Sequence, residues 1–200
     1  MLTKSLIRDF SKFLVFLTKF KVIDSIKLNP LMPIGRGTKL FDTGKFPDIK
    51  EILDFNEALN REAFKNDKIK IYLDIPLVFR KFKDIREFNF SVCPFRNLAG
   101  ILENGDISFC GIGMLSKEYI FGNIERDSIS RVWLENEKWL EMRQNIVSNL
   151  KGICSDCIFK EICLGGCRAI ATFQNNDICA PFWFCEKAKQ ENLFPLSRKC

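Results

Sequence analysis

Seven cysteines of the chain fall into one spaced array: Cys93, Cys110, Cys154, Cys157, Cys163, Cys167 and Cys185. The spacing runs Cys93-x11-Gly105-x4-Cys110, a gap, Cys154-x2-Cys157-x5-Cys163-x3-Cys167, a second gap, and Cys185. The thiolate is the form of cysteine that binds metal. A C-x2-C pair on a tight turn sends both sulfurs to one centre while backbone N–H groups point at them. Cys163 and Cys167 are four apart, which puts both sulfurs on one face if that stretch is helical. Gly165 and Gly166 carry no side chain to obstruct a bulky inorganic core. Iron–sulfur clusters are held mainly by cysteine, four thiolates for a fully ligated cluster. Seven positions fit one complete site and one site with three ligands, open to an outside group. The rival is a zinc-binding structural or interaction module. Cys154, Cys157, Cys163 and Cys167 would then form an all-thiolate tetrahedral site, with Cys93, Cys110 and Cys185 left unexplained.

The chain of 200 residues contains no histidine, which excludes mixed cysteine–histidine zinc sites and removes the commonest general base. The formal charge of +6 overstates the charge of a loaded protein, because each ligating cysteine is a thiolate. Basic residues such as Lys68, Lys70, Arg80, Lys81 and Lys83 are interspersed with acidic and apolar ones and read as a solvated surface. A peptide substrate or a redox protein is the partner expected; a nucleic acid or a membrane is not. Charged residues interrupt the first twenty positions, so no signal peptide is expected, and no apolar run reaches the length of a membrane span. Nine cysteines without an export signal point to the reducing cytoplasm and to metal ligation rather than disulfides. Twenty Phe against two Tyr, with abundant Ile, Lys and Asn, reflects an AT-rich coding sequence.

Around this array the elements can be placed by periodicity. Leu6, Phe10, Phe13, Leu14 and Leu17 form a helical stripe over residues 5–19, widened by Val15 and Phe16. Residues 22–28 read as a strand, and residues 30–37 as a breaker-rich loop. Asp48 caps a helix expected through Phe64, and residues 69–75 form a second strand stopped by Pro76. This order suggests the edge of an α/β domain with too few strands to close a sheet. The composition changes near Ser91. Residues 100–109 read as a β-hairpin around Asn104-Gly105-Asp106, carrying Cys110 back towards Cys93. Residues 128–150 read as one amphipathic helix, with Trp133 and Trp139 in the core.

The cysteine array resembles the SPASM domain, the C-terminal auxiliary-cluster domain of many radical S-adenosylmethionine enzymes. Gly122-Asn123-Ile124, the helix with Trp133, and Gly165-Gly166-Cys167-Arg168-Ala169 share in the likeness, which spans about residues 93–190. The resemblance implies an α+β fold: a SPASM domain over residues 91–200, with a β-hairpin and helices around two auxiliary clusters. Residues 1–90 would be a linker and the last βα segments of a partial (β/α)6 barrel. It implies that Cys93, Cys110 and Cys167 bind auxiliary cluster I, and that Cys154, Cys157, Cys163 and Cys185 bind auxiliary cluster II, both 4Fe–4S. Cluster I is either open at one iron or recruits Cys179, the other reading of Cys179 being a buried apolar thiol; Cys200 is read as unligated. The family's C-x3-C-x2-C motif, which holds the S-adenosylmethionine-cleaving cluster, is absent, and the first cysteine is Cys93. Alone, the chain is then no radical enzyme. It is the C-terminal half of a split or truncated one, with S-adenosylmethionine bound only if a partner chain carrying the radical SAM core completes the barrel, or an independent cluster protein. The tail at 180–185 with Gly111-Ile112-Gly113 resembles peptide-maturase groups, which implies a peptide-modifying context with clusters that relay electrons or hold substrate. A degenerate fragment without function is the remaining alternative.

Overall fold

The structure is a computed structural model that describes residues 1–41, 43–60, 68–86 and 92–200. Its contacts divide the chain into two units, Met1–Ser91 with Lys187–Pro195, and Val92–Glu186 with Leu196–Cys200. Helices dominate and the sheets are small, an α+β composition.

In the first unit Thr3 Oγ1 accepts from the Leu6 amide at 3.1 Å and starts α1, Lys4–Arg8. The single helix expected over residues 5–19 breaks at Asp9, whose ψ of 18° leaves the helical range, and resumes as α2, Phe10–Leu17. Phe10, Leu14 and Leu17 are buried, with Phe10 edge-on to Phe55 at 5.1 Å. Val15 and Phe16 face solvent, so they do not widen the buried stripe. Strand β1 spans Ser25–Leu28 and is shorter than residues 22–28, and Val22 is 91% exposed. Helix α3, Arg36–Phe41, starts inside the stretch read as a loop. Helix α4, Ile49–Leu59, opens on a capping box: Asp48 accepts from the Glu51 amide at 2.8 Å, and Glu51 accepts from the Asp48 amide at 2.9 Å. The expected continuation over residues 61–64 lies outside the described residues. Strand β2, Lys70–Leu73, pairs parallel with β1 from Ser25↔Lys70 to Leu28↔Leu73. Parallel strands need a crossover, and α3 and α4 supply it. This is one α/β unit; two strands do not close a barrel. A short α5, Phe82–Arg86, follows.

The second unit contains the expected hairpin, β3 (Gly100–Ile101) against β4 (Asp106–Ser108). A third strand that periodicity does not reveal, β5 (Gly122–Asn123), pairs antiparallel with β4. Side-chain chemistry recruits it, for Asn123 Nδ2 donates to the Asn104 carbonyl and to Asp106 Oδ1, both at 3.0 Å. The long helix expected over residues 128–150 is two helices, α6 (Ile129–Glu135) and α7 (Glu137–Asn145). Asn136 divides them. Its extended backbone ends α6, its Oδ1 accepts from the Trp139 amide at 2.9 Å, and its Nδ2 donates to the Phe121 carbonyl at 3.1 Å. That cap drives Trp139 into the core, where it is 0% exposed, stacked on Phe109 at 4.4 Å and edge-on to Phe121 at 4.7 Å. Trp133 is half-buried instead, under the Arg143 guanidinium 3.8 Å from its ring centre. Then come α8 (Lys160–Cys163), α9 (Arg168–Asn175) and α10 (Trp183–Gln190). Among the described residues no helix is long and apolar enough to cross a membrane.

Two substitutions test these supports by chemical denaturation. Asp48→Ala removes the capping box and is expected to cost about 1 kcal/mol. Trp139→Ala empties the aromatic centre of the second unit and is expected to cost about 3–5 kcal/mol.

Candidate metal centre

The hairpin positions the first pair of sulfurs. Gly105 sits at φ +82°, a conformation strained for side-chain-bearing residues, and a Cβ there would come within 3.1 Å of Asn123 Oδ1. This is the physical reason for a glycine five residues before Cys110. Gly100 is equally constrained, for its added Cβ would lie 3.1 Å from the Cys110 Cα. Cys93 and Cys110 pack against the core that includes Phe95, Phe109 and Trp139. Cys93 is followed by a turn whose Phe95 amide donates to its sulfur, and the Ile112 amide does the same for Cys110.

The later sulfurs ride on short elements. Cys154 closes a one-turn 3-10 helix, Gly152–Cys154, and its sulfur accepts from the buried Phe182 amide at 3.3 Å. The Phe159 amide donates to Cys157 Sγ at 3.5 Å. Cys163 ends α8, and the Gly166 amide donates to its carbonyl at 3.0 Å. Cys185 lies in the first turn of α10 and is buried. Sequence gives no direct signal of these backbone donors, because any residue carries the amide.

The stretch 163–167 is not helical. Leu164, Gly165 and Gly166 take φ of 53°, 71° and 72° in succession, a left-handed turn that separates α8 from α9. Cys163 and Cys167 therefore do not share a helical face. Nor do the glycines leave open space. A Cβ on Gly165 would lie 2.6 Å from Arg168 Nη2, and one on Gly166 would lie 2.8 Å from the Phe182 ring. Neither position has room for a side chain beside the protein atoms that approach it.

Electrostatics sort the thiols into two sets. Burial pushes Cys93 up to about 11, with further contributions from Cys167 and Cys110. Cys110 is raised by burial and then by Cys167. In the other set burial raises Cys163 to about 11, helped by Cys154 and Cys157. Cys185 is raised well above its ordinary value by burial, then by Cys154, Cys163 and Cys157. Cys154 and Cys157 are raised chiefly by burial as well. Cys93 thus feels Cys110 and Cys167, while Cys185 feels Cys154, Cys157 and Cys163. Among the described residues no three Cys, Asp or Glu side chains converge closely enough to hold a single metal ion.

Three neighbours outside the array bear on the site. Arg168 follows Cys167, is 1% exposed, and has an Nη2 without a hydrogen-bond partner. The only sequence signal is a lone cation in an otherwise apolar helix start. Cys200, set aside as a terminal thiol, is brought beside the second set. Its amide donates to the Asp156 carbonyl at 2.7 Å, the Ile158 amide donates to the Arg198 carbonyl at 3.0 Å, and the Cys157 thiol senses it. Cys179 packs against the same core as Cys93 and Cys110, yet its thiol is half-exposed and faces Asp177, Arg168 and Lys151.

These thiol nests suit a cationic guest. Burial disfavours the thiolate, while amide donors and Arg168 favour it. A metal core would supply the remaining positive charge.

The metal-free protein then has a pH signature. Its thiols are raised in the folded state, from 9.0 to about 11 at Cys93 and Cys163, so folding stabilises the protonated form. That stability is complete below pH 9.0 and is lost as pH rises towards about 11. Urea denaturation of metal-free protein across this range should show falling midpoints. Constant midpoints would contradict the burial of these thiols.

Residues 93–158 match the family model for SPASM, an iron–sulfur cluster-binding domain. The matched span contains Cys93, Cys110, Cys154 and Cys157, and Cys163, Cys167 and Cys185 follow it in the same unit. No curated protein matches the chain. The hairpin glycine Gly105 and the thiols of Cys93, Cys110, Cys154 and Cys157 all lie within this match to an iron–sulfur cluster-binding domain.

Proposed function

We propose that the second unit holds two 4Fe–4S clusters, Cys93, Cys110 and Cys167 binding one and Cys154, Cys157, Cys163 and Cys185 binding the other. What supports this reading is the match of residues 93–158 to an iron–sulfur cluster-binding domain, together with the mutual influence of Cys93, Cys110 and Cys167 and that of Cys154, Cys157, Cys163 and Cys185. When bound, such clusters store and pass single electrons. The chain's own residues exclude water, orient the thiolates, and place backbone N–H groups on the sulfurs. The set of three leaves a coordination position for an outside ligand, such as a substrate group. Cys179, directed at Asp177 and Lys151, is not needed to fill it.

The wider setting proposed is a cytoplasmic, peptide-modifying system of radical S-adenosylmethionine type. The α/β unit of β1, α3, α4 and β2 would be the remnant of the partial barrel. A second chain with the C-x3-C-x2-C motif would supply the S-adenosylmethionine site, and a redox protein would supply electrons. Co-purification of such a chain with this one is the expected result; a lone, well-behaved monomer in size-exclusion chromatography counts against the split form.

Anaerobic reconstitution with iron and sulfide tests the ligand sets. About eight iron per chain and a broad visible absorbance band are expected. Cys110→Ala should lose the three-thiolate site and about half the iron, and Cys154→Ala the other half. Stoichiometric zinc in a colourless protein would favour the structural zinc module instead. Equal, complete iron loss from both variants would contradict two separate nests.

A further inference from the structure

Among the described residues, no carboxylate pairs with the buried guanidinium of Arg168, which follows Cys167. Arg168 opens α9 directly after Cys167 and is 1% exposed. Its Nη1 donates to the Ile178 carbonyl at 2.9 Å and the Ala180 carbonyl at 2.8 Å, and its Nε reaches the Gly166 carbonyl at 3.5 Å. Nη2 is buried and has no partner. The charges that bear on Arg168 are those of Cys154, Cys163, Cys167 and Cys179, sulfurs of both nests among them. Asp177 senses it only as the weakest of several influences and is paired with Lys151 at 2.6 Å. The position is built for this side chain: Gly165 makes room for it, since a Cβ there would lie 2.6 Å from Nη2. A clamp on three carbonyls explains Nη1 and Nε but leaves both the charge and Nη2 unused.

We propose that Arg168 is a positioning residue that sets the reduction potentials of both clusters, its buried charge serving the two nests at once and Nη2 being its spare donor. This rests on the two-cluster reading above. On reduction, one electron from an external low-potential donor such as dithionite adds one negative charge to a cluster, with no bond made or broken. A fixed cation nearby stabilises that charge far more in a dry site than water-screened surface lysines do. The guanidinium stays protonated throughout, so the effect needs no proton transfer.

Arg168→Gln and Arg168→Lys, reconstituted as full chains, test the role by EPR-monitored redox titration with iron content measured in parallel. The expected result is full iron and both midpoint potentials moved to more negative values. In Arg168→Gln the move should reach at least a tenfold change in the reduction equilibrium, about 59 mV for one electron. In Arg168→Lys, which keeps a charge but loses the forked donor, it should be smaller. Unchanged potentials in a fully loaded Arg168→Gln overturn the proposal, as does loss of iron from both variants, which assigns Arg168 to the fold alone. Wild-type protein that takes up no iron sinks the cluster reading itself, a result the metal analysis separates from a failure of Arg168.

Discussion

Burying sulfur away from water is the constraint on which the second unit depends. A thiol in an apolar nest stays protonated, and a protonated thiol is no ligand. Every feature around the array acts against that tendency. Amides of Phe95, Ile112, Phe159, Gly166 and Phe182 favour the thiolates. Arg168 adds a full charge. Two unit charges about 4 Å apart attract by about 4 kcal/mol at an effective dielectric constant near 20, while an unpaired buried ion costs several kcal/mol. Arg168 without anionic sulfurs, and anionic sulfurs without cations, would each be poor bargains; together with a metal core they become self-consistent.

The left-handed turn at residues 164–166 turns this chemistry into architecture. It separates α8 from α9, with Cys163 before it and Cys167 after it. The two ligand sets proposed would interleave along the chain, so ligation in either would tie distant segments together. Metal binding of this kind is coupled to folding. The hydrophobic core around Trp139 holds the hairpin in place, and packing rather than metal accounts for that half of the unit.

Much of the site was legible because its grammar is local. Spacing alone identified the array, and Asn104-Gly105 identified the hairpin that returns Cys110 towards Cys93. The assignment of sulfurs to two nests came from family resemblance, not from spacing. What sequence could not disclose was mostly the work of single polar side chains. Asn136 splits a helix that periodicity reads as continuous, because an amide that caps backwards and forwards overrides an unbroken apolar stripe. Asn123 recruits a two-residue strand too short to show alternation. At Asp9 the backbone itself leaves the helical range, with no side-chain cap to mark it. The run at 163–167 misleads for another reason: four-residue spacing is helical only if the backbone is, and two glycines after Leu164 permit the left-handed turn. The nearness of the C-terminal segment to Cys157 depends on an isolated backbone bridge between Cys157 and Lys199, which leaves no mark in the sequence.

X-ray absorption at the iron and zinc edges of anaerobically loaded protein tests most directly whether the nests hold iron–sulfur cores. A first shell of sulfur and a second shell of neighbouring iron around the iron, lost when the array cysteines are replaced, is the expected result. Iron surrounded by oxygen or nitrogen with no iron neighbour, or zinc carrying the sulfur shell, would contradict it.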